Sequence, residues 1–186
     1  MLSTSGRKLP VEAEPLAFTS MDTPVGRLLL AGDDGGLRFV NYVGGESGMK
    51  PGAAWQESEI TFHEAVRQLT AYFNRELRIF DLPLQLFGTP FQLAVWNMLR
   101  RIPYGETMSY GELARRIGNP AAVRAVGGAN HANPIAIIVP CHRVIGAHGN
   151  LVGYGGGLAN KDRLLALERG ELFPFSNGQA TASFPG

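Results

Sequence analysis

A chain of 186 residues with 45% hydrophobic and 18% charged side chains, 24 glycines and 12 prolines is a turn-rich globular protein, long enough for one sizeable domain or two small ones. Its one cysteine excludes an internal disulfide and a multi-cysteine zinc site, its four scattered histidines lack metal-ligand spacing, and no apolar run approaches the roughly 18 residues of a membrane span, so a reducing cytoplasm is the expected location. The net charge of +1 conceals a split of −3 over residues 1–88 against +5 over residues 89–170, expected either of a second half that meets a polyanion or of a solvated basic face.

Residues 1–16 read as a flexible leader, with Arg7 and Lys8 but no apolar core of a secretion signal. Residues 27–31 and 37–43 flank Gly32-Asp33-Asp34-Gly35-Gly36, the pattern of two strands joined by a tight turn. Residues 44–57, with Gly44-Gly45 and Pro51-Gly52 and little periodicity, read as a loop. Phe62, Ala65, Val66, Leu69, Tyr72, Phe73 and Leu77 recur at helical spacing and predict an amphipathic helix over residues 61–77. Phe80, Leu82, Leu84 and Leu86 alternate as in a strand, which completes a small α/β domain over residues 17–87.

A second domain, residues 88–171, opens at Gly88-Thr89-Pro90. Thr89 as cap, Pro90 at the first helical position and Gln92 closing a Thr-x-x-Gln box precede the apolar series Phe91, Val95, Met98, Leu99 and Ile102. Ser109-Tyr110-Gly111-Glu112 is a second capping box, ahead of a short helix ending at Gly118, and Asn119-Pro120 predicts the cap of a third helix over residues 121–130. Two short helices joined by a Gly-Asn-Pro turn outline a helix-turn-helix. The third helix is nearly bare: Ala121, Ala122, Ala125, Gly127, Gly128 and Ala129 surround Arg124. Such a helix either approaches a groove closely, with one arginine entering it, or packs tightly on another helix. Residues 135–139 predict a buried strand, residues 151–157 a glycine-rich loop around Tyr154 without a phosphate-loop ending, and Asn160 the cap of a last helix over residues 161–169. Residues 172–186 read as a flexible tail.

The chemistry-bearing segment is Ile138-Val139-Pro140-Cys141-His142-Arg143-Val144, where an apolar run ends at a proline followed by a thiol and an imidazole. A thiolate is strongly nucleophilic, and a neighbouring imidazole can take the thiol proton. A buried, inert cysteine is the plain alternative.

That segment, the preceding Asn133-Pro134, the Ser109-Tyr110-Gly111 helix start, the Arg124 helix and Tyr154-Gly155-Gly156-Gly157-Leu158 closely resemble, in order and spacing, the methylated-DNA-protein-cysteine methyltransferases (O6-alkylguanine-DNA alkyltransferases). The resemblance implies an α+β protein: a ribonuclease-H-like α/β N-terminal domain, then a winged-helix/helix-turn-helix C-terminal domain. It implies a DNA repair protein that flips O6-alkylguanine out of duplex DNA and transfers the alkyl group irreversibly to Cys141, once per chain. His142 would act through a water and be oriented by Glu168, Tyr110 would protonate the leaving guanine, and Asn133 would tie the helix-turn-helix to the active-site turn. Arg124 would fill the space the base vacates, with Ala122, Ala125, Gly127 and Tyr110 also at the DNA. Val144, Tyr154, Gly155 and Gly156 would line the base pocket. Two positions depart from the family: Val123 is bulkier than the alanine often found there, and Gly155 replaces a serine of some relatives, so backbone N–H would have to hold the alkylated oxygen.

No cofactor and no metal are expected. The implied partner is double-stranded DNA carrying O6-alkylguanine, bound by a protein monomeric in solution; action on O4-alkylthymine and cooperative assembly on DNA stay open. Two rival classes remain beside this one. A lesion flagger or regulator would bind alkylated DNA with Cys141 inert, and a thiol hydrolase would use Cys141 with His142. The latter needs an unusual turn, because adjacent residues of a regular strand point to opposite faces.

Overall fold

The structure, a computed structural model, describes residues 14–44 and 48–171. The expected tail and the leader up to residue 13 lie outside the described residues. Residues 14–16, the end of that leader, are placed: Leu16 is buried and Glu14 pairs with Arg38.

A four-stranded sheet in the order β3-β2-β1-β4 makes the first half, from β1 (Ala17–Thr23), β2 (Gly26–Asp33), β3 (Gly36–Tyr42) and β4 (Gln56–Glu57). The first three strands form an antiparallel meander, and β4 joins parallel to β1 within the stretch expected to be all loop. The apolar run Leu28-Leu29-Leu30-Ala31 is continuous because β2 is covered on both faces. Leu28 and Leu30 enter the main core, while Leu29 and Ala31 pack with Leu16 and Trp55 in a smaller one. The β2–β3 turn is tied by Gly35 N donating to Asp33 Oδ1 at 2.8 Å. Gly36 is required there: φ is 129°, and a Cβ would sit 2.3 Å from the Pro83 carbonyl oxygen.

Helix α1 (His63–Phe73) follows a 3-10 turn and lays Ala65, Leu69 and Tyr72 into the core. It stops short of residue 77 because Arg75 adopts φ 65°. Residues 80–86 are extended but not the expected strand. Pro83 has no N–H to donate, so the segment's backbone bonds β3 at Leu37, by Leu37 N to Pro83 O (2.9 Å) and Gln85 N to Leu37 O (2.8 Å).

Helix α2 (Pro90–Leu99) carries the full capping box, with Gln92 N donating to Thr89 Oγ1 (3.2 Å) and Thr89 N to Gln92 Oε1 (2.9 Å). A cap of this kind stabilises by about 1 kcal/mol. In α3 (Tyr110–Arg116) only Ser109 caps; the Glu112 carboxylate turns instead to Arg116 at 2.6 Å. The next helix, α4 (Val123–His131), begins later than expected, since Ala122 N bonds Asn119 O (3.0 Å) in a turn and no side chain caps it. Trp96 of α2 donates its indole N–H to Ala129 O at 2.8 Å, locking α4 to α2.

Residues 135–139 form turns rather than the expected strand. Ile137 has φ 70°, and the segment docks on β3 through Val40 N to Pro134 O (3.0 Å) and Ala136 N to Val40 O (2.8 Å). A parallel pair, β5 (Met108–Ser109) and β6 (Val144–Ile145), and α5 (Leu158–Glu168) complete the chain. Helix α5 starts at Gly157 (φ 85°), ahead of Asn160, whose side chain donates back to Gly156 O. One cluster runs from Leu30 and Val40 through Tyr72 to Leu99, Leu113, Val139 and Leu164, so both halves of this α+β chain share a core. Among the described residues no helix is long and apolar enough to cross a membrane.

Candidate active site

Cys141, His142 and Arg143 occupy a 3-10 turn buried between the end of the 135–139 turns and β6. This is the departure from strand geometry that two adjacent functional side chains require. Asn133, just past α4, shapes the approach: its amide donates to Val139 O (2.8 Å) and its Oδ1 accepts from Ile135 N (3.1 Å). Burial pushes the Cys141 thiol up, and the Asn133 side chain and the Lys161 charge pull it only part of the way back. The resting group is therefore the thiol.

Behind Cys141, Glu168 at the end of α5 is a buried hub. Its Oε1 meets His142 Nε2 at 2.8 Å, Tyr72 OH at 2.7 Å and Arg143 Nη2 at 2.9 Å, and its Oε2 accepts from Arg143 Nε (2.9 Å) and Gly105 N (3.0 Å). Burial would raise this carboxyl, but the bonds and charges of His142 and Arg143 outweigh it and hold it well below the usual range. His142 moves down because burial of the cation outweighs the pull of Glu168. We take the pair as an anionic carboxylate, secured by the Arg143 guanidinium, facing a neutral imidazole. A carboxylate only accepts, which assigns the proton to Nε2. Nδ1, the remaining buried nitrogen, has no partner among the described residues and is the lone pair able to receive a proton.

Lys161 was not legible as a site residue. It is fully buried in α5, donates to Val152 O at 2.6 Å and stands 5.8 Å from the Tyr110 ring centroid. Burial pulls it down to about 8, while the charge of Cys141 acts in the opposite sense. Tyr110, the first residue of α3, donates to Val152 O at 3.2 Å, and burial raises its pKa, keeping the phenol protonated. Asn130 of α4 reaches Cys141 O at 3.4 Å and Tyr110 OH at 3.5 Å, bridging the nucleophile's backbone to the phenol.

Tyr154 is buried, its hydroxyl 3.0 Å from that of Tyr42 on β3. A Cβ on Gly156 would lie 2.2 Å from the Tyr42 ring, so only glycine fits there, whereas a Cβ on Gly155 meets nothing within 4 Å. Cys141, Tyr154, Gly155 and Gly156 line a cavity of about 670 Å3 whose far wall is Phe39, Met49 and Trp55. Val144 lies buried beside the turn, in β6. On α4, Arg124 and Ala125 are exposed and Val123 is 40% exposed; Ala122, just before the helix, is half-buried. Gly127 faces inward, with a Cβ there 4.0 Å from the Tyr110 ring. Thus Cys141, His142, Glu168 and Asn133 converge at one turn, Tyr110 and the glycine loop close one side, and Arg124 stands out on the helix-turn-helix.

Residues 16–86 match the family model of the 6-O-methylguanine DNA methyltransferase ribonuclease-like domain, and residues 90–170 that of the DNA-binding domain. The chain is 56% identical to the methylated-DNA–protein-cysteine methyltransferase of Methanosarcina acetivorans, over 81% of this chain and 97% of the relative. The protein of that name from Mycolicibacterium paratuberculosis is 54% identical over 83% and 93%. The crystal structure of the Mycobacterium tuberculosis O6-methylguanine methyltransferase superposes with a TM-score of 0.78 at 50% identity, covering 86% of this chain and 96% of that one. A Mycobacterium tuberculosis structure solved in complex with DNA gives 0.77 at 50% identity over 84% and 94%.

Proposed function

The chain belongs to the methylated-DNA–protein-cysteine methyltransferase family, and from that premise we propose how its residues carry out the irreversible transfer of an alkyl group from O6-alkylguanine in DNA to Cys141. The observation that carries the reading is the buried Cys141 thiol beside a His142 whose Nε2 is held by Glu168 and whose Nδ1 is free to accept a proton.

The lesion atom lies inside the duplex, so the nucleotide must rotate out, which costs a few kcal/mol of stacking and pairing. Arg124, exposed on α4, fills the vacated space, and Ala122, Ala125 and Gly127 let the helix approach the minor groove. The base enters beside Tyr110, Val144, Tyr154 and the backbone of Gly155 and Gly156. With no side chain at Gly155, the backbone N–H holds the alkylated oxygen. The Cys141 proton passes to His142 Nδ1 through a bridging water, and the adjacent Glu168 anion stabilises the imidazolium. The thiolate attacks the alkyl carbon; the C–S bond forms as the C–O6 bond breaks. The departing guanine takes the proton of Tyr110, whose phenol burial keeps protonated at rest. Lys161 supplies positive charge to the thiolate as it develops.

A thioether has no ready hydrolysis route, so one alkyl group is taken per chain. A single free thiol suits a reducing cytoplasm. Excess duplex containing O6-methylguanine should have its lesion restored to guanine within the strand to a plateau equal to the protein present. Further restoration without added protein would contradict single use.

A further inference from the structure

A second cavity, of about 680 Å3, shares no lining residue with the cavity of Cys141, although Pro140 and Arg143 of the same turn form part of its wall. Arg78, from the segment after α1, and Arg100 and Arg101, at the end of α2, stand exposed on its rim. No Asp or Glu lines it, and none of these three arginines makes an ion pair among the described residues. Tyr104 is part of the wall, its ring centroid 5.6 Å from the Arg78 guanidinium carbon and 5.8 Å from that of Arg143. Arg143 is already matched by Glu168; the other three charges are not.

Like charges gathered from two segments repel. The C-terminal end of α2 offsets part of that, since its dipole presents about half a negative charge. The remainder favours an anion, and the planar fork of arginine matches the oxygens of a phosphoryl group. We propose that this cavity is a phosphoryl-anion site, separate from the Cys141 pocket and from the helix-turn-helix face, in which Arg78, Arg100 and Arg101 grip the phosphate beside Tyr104. The phosphate belongs either to a DNA backbone or to a free polyphosphate, and the chemistry is the same for both.

The test uses the full chain with inorganic pyrophosphate, titrated calorimetrically at low salt. The variant R78Q/R100Q/R101Q should bind at least about tenfold more weakly, because three charge-assisted donors are removed. A charge-matched variant, R67Q/R163Q/R169Q, should stay within about twofold, since none of its arginines lines the cavity and Arg67 and Arg169 are already paired with Glu64 and Glu171. The conservative set R78K/R100K/R101K should retain part of the binding, and matching urea midpoints exclude unfolding as the cause. Absence of pyrophosphate binding in the wild type, or an equal loss in the charge-matched control, overturns the site. Undamaged duplex then separates the sources. If a DNA phosphate occupies the cavity, the slope of log K against log salt becomes shallower by about 0.9 for each phosphate no longer neutralised. An unchanged slope with pyrophosphate binding abolished supports the site with a free anion as its occupant.

Discussion

Replacing Glu168 with Gln keeps the shape of the hub and removes its charge. The carboxylate accepts from His142, Tyr72, Gly105 N and Arg143, the last through both Nε and Nη2. A glutamine amide offers one acceptor oxygen and turns two N–H donors toward groups that are themselves donors. Arg143 would be left buried without a counter-charge, a change that costs about 3–5 kcal/mol where it has been measured. That is a large part of the roughly 5–15 kcal/mol that holds a domain folded. Urea unfolding at pH 7 reads it directly, and the double variant E168Q/R143M should recover part of the loss because it removes the stranded cation as well. A loss below about 1 kcal/mol for E168Q would refute the hub. Acid should act in the same direction. The Glu168 carboxyl is held low when folded, so its contribution is complete above its unfolded value, about 4.3, and fades as pH falls toward the folded one. His142 is also shifted down, so below its unfolded value of about 6.5 protonation favours the unfolded chain. Stability should therefore decline in two stages on acidification, first below about pH 6.5 and again below about pH 4.3, and a flat profile from pH 7 to 4 would contradict the assignment.

Lys161→Met should move the pH profile of Cys141 alkylation by iodoacetamide to higher pH, since the positive charge acting on the thiolate is removed; an identical profile would show that Lys161 only supports the Val152 carbonyl. Arg124→Ala should leave the unfolding free energy in urea within about 0.5 kcal/mol, as expected of an exposed side chain, while slowing transfer from duplex DNA far more than from a single strand. Equal rates on both substrates would remove Arg124 from base extrusion. Cys141→Ser should bind lesion-bearing duplex and leave its O6-alkylguanine unrepaired, and dealkylation by that variant would sink the nucleophile assignment.

Local hydrogen bonds are legible in the sequence, and distant pairings are not. The Thr89–Gln92 box is written in four consecutive residues, and the structure forms both of its bonds. The strand β1 has too weak an alternation to read, because its one buried residue is the polar Thr19 and its apolar Phe18 and Met21 pack against different clusters. Alternation over residues 80–86 and an apolar run over residues 135–139 suggest strands, where Pro83 removes a donor and Asn133 supplies side-chain bonds that fold the backbone into turns. Cys141, His142 and Glu168 follow from motif resemblance. The partners that set the charge of Glu168 do not, since Tyr72 lies 96 residues away and Gly105 63. Arg143 sits inside the motif, yet nothing local marks it as the counter-charge of a residue in another helix. Lys161 looks in sequence like any solvent-facing helix lysine, and only tertiary packing reveals its burial.

The most direct measurement is intact-protein mass after incubation with excess duplex DNA containing O6-methylguanine, followed by peptide mapping. One added methyl group, located on Cys141 and saturating at one per chain, is the expected result. Tight, lesion-selective binding with an unchanged mass would contradict alkyl transfer and make the chain a lesion-recognition protein with an inert cysteine.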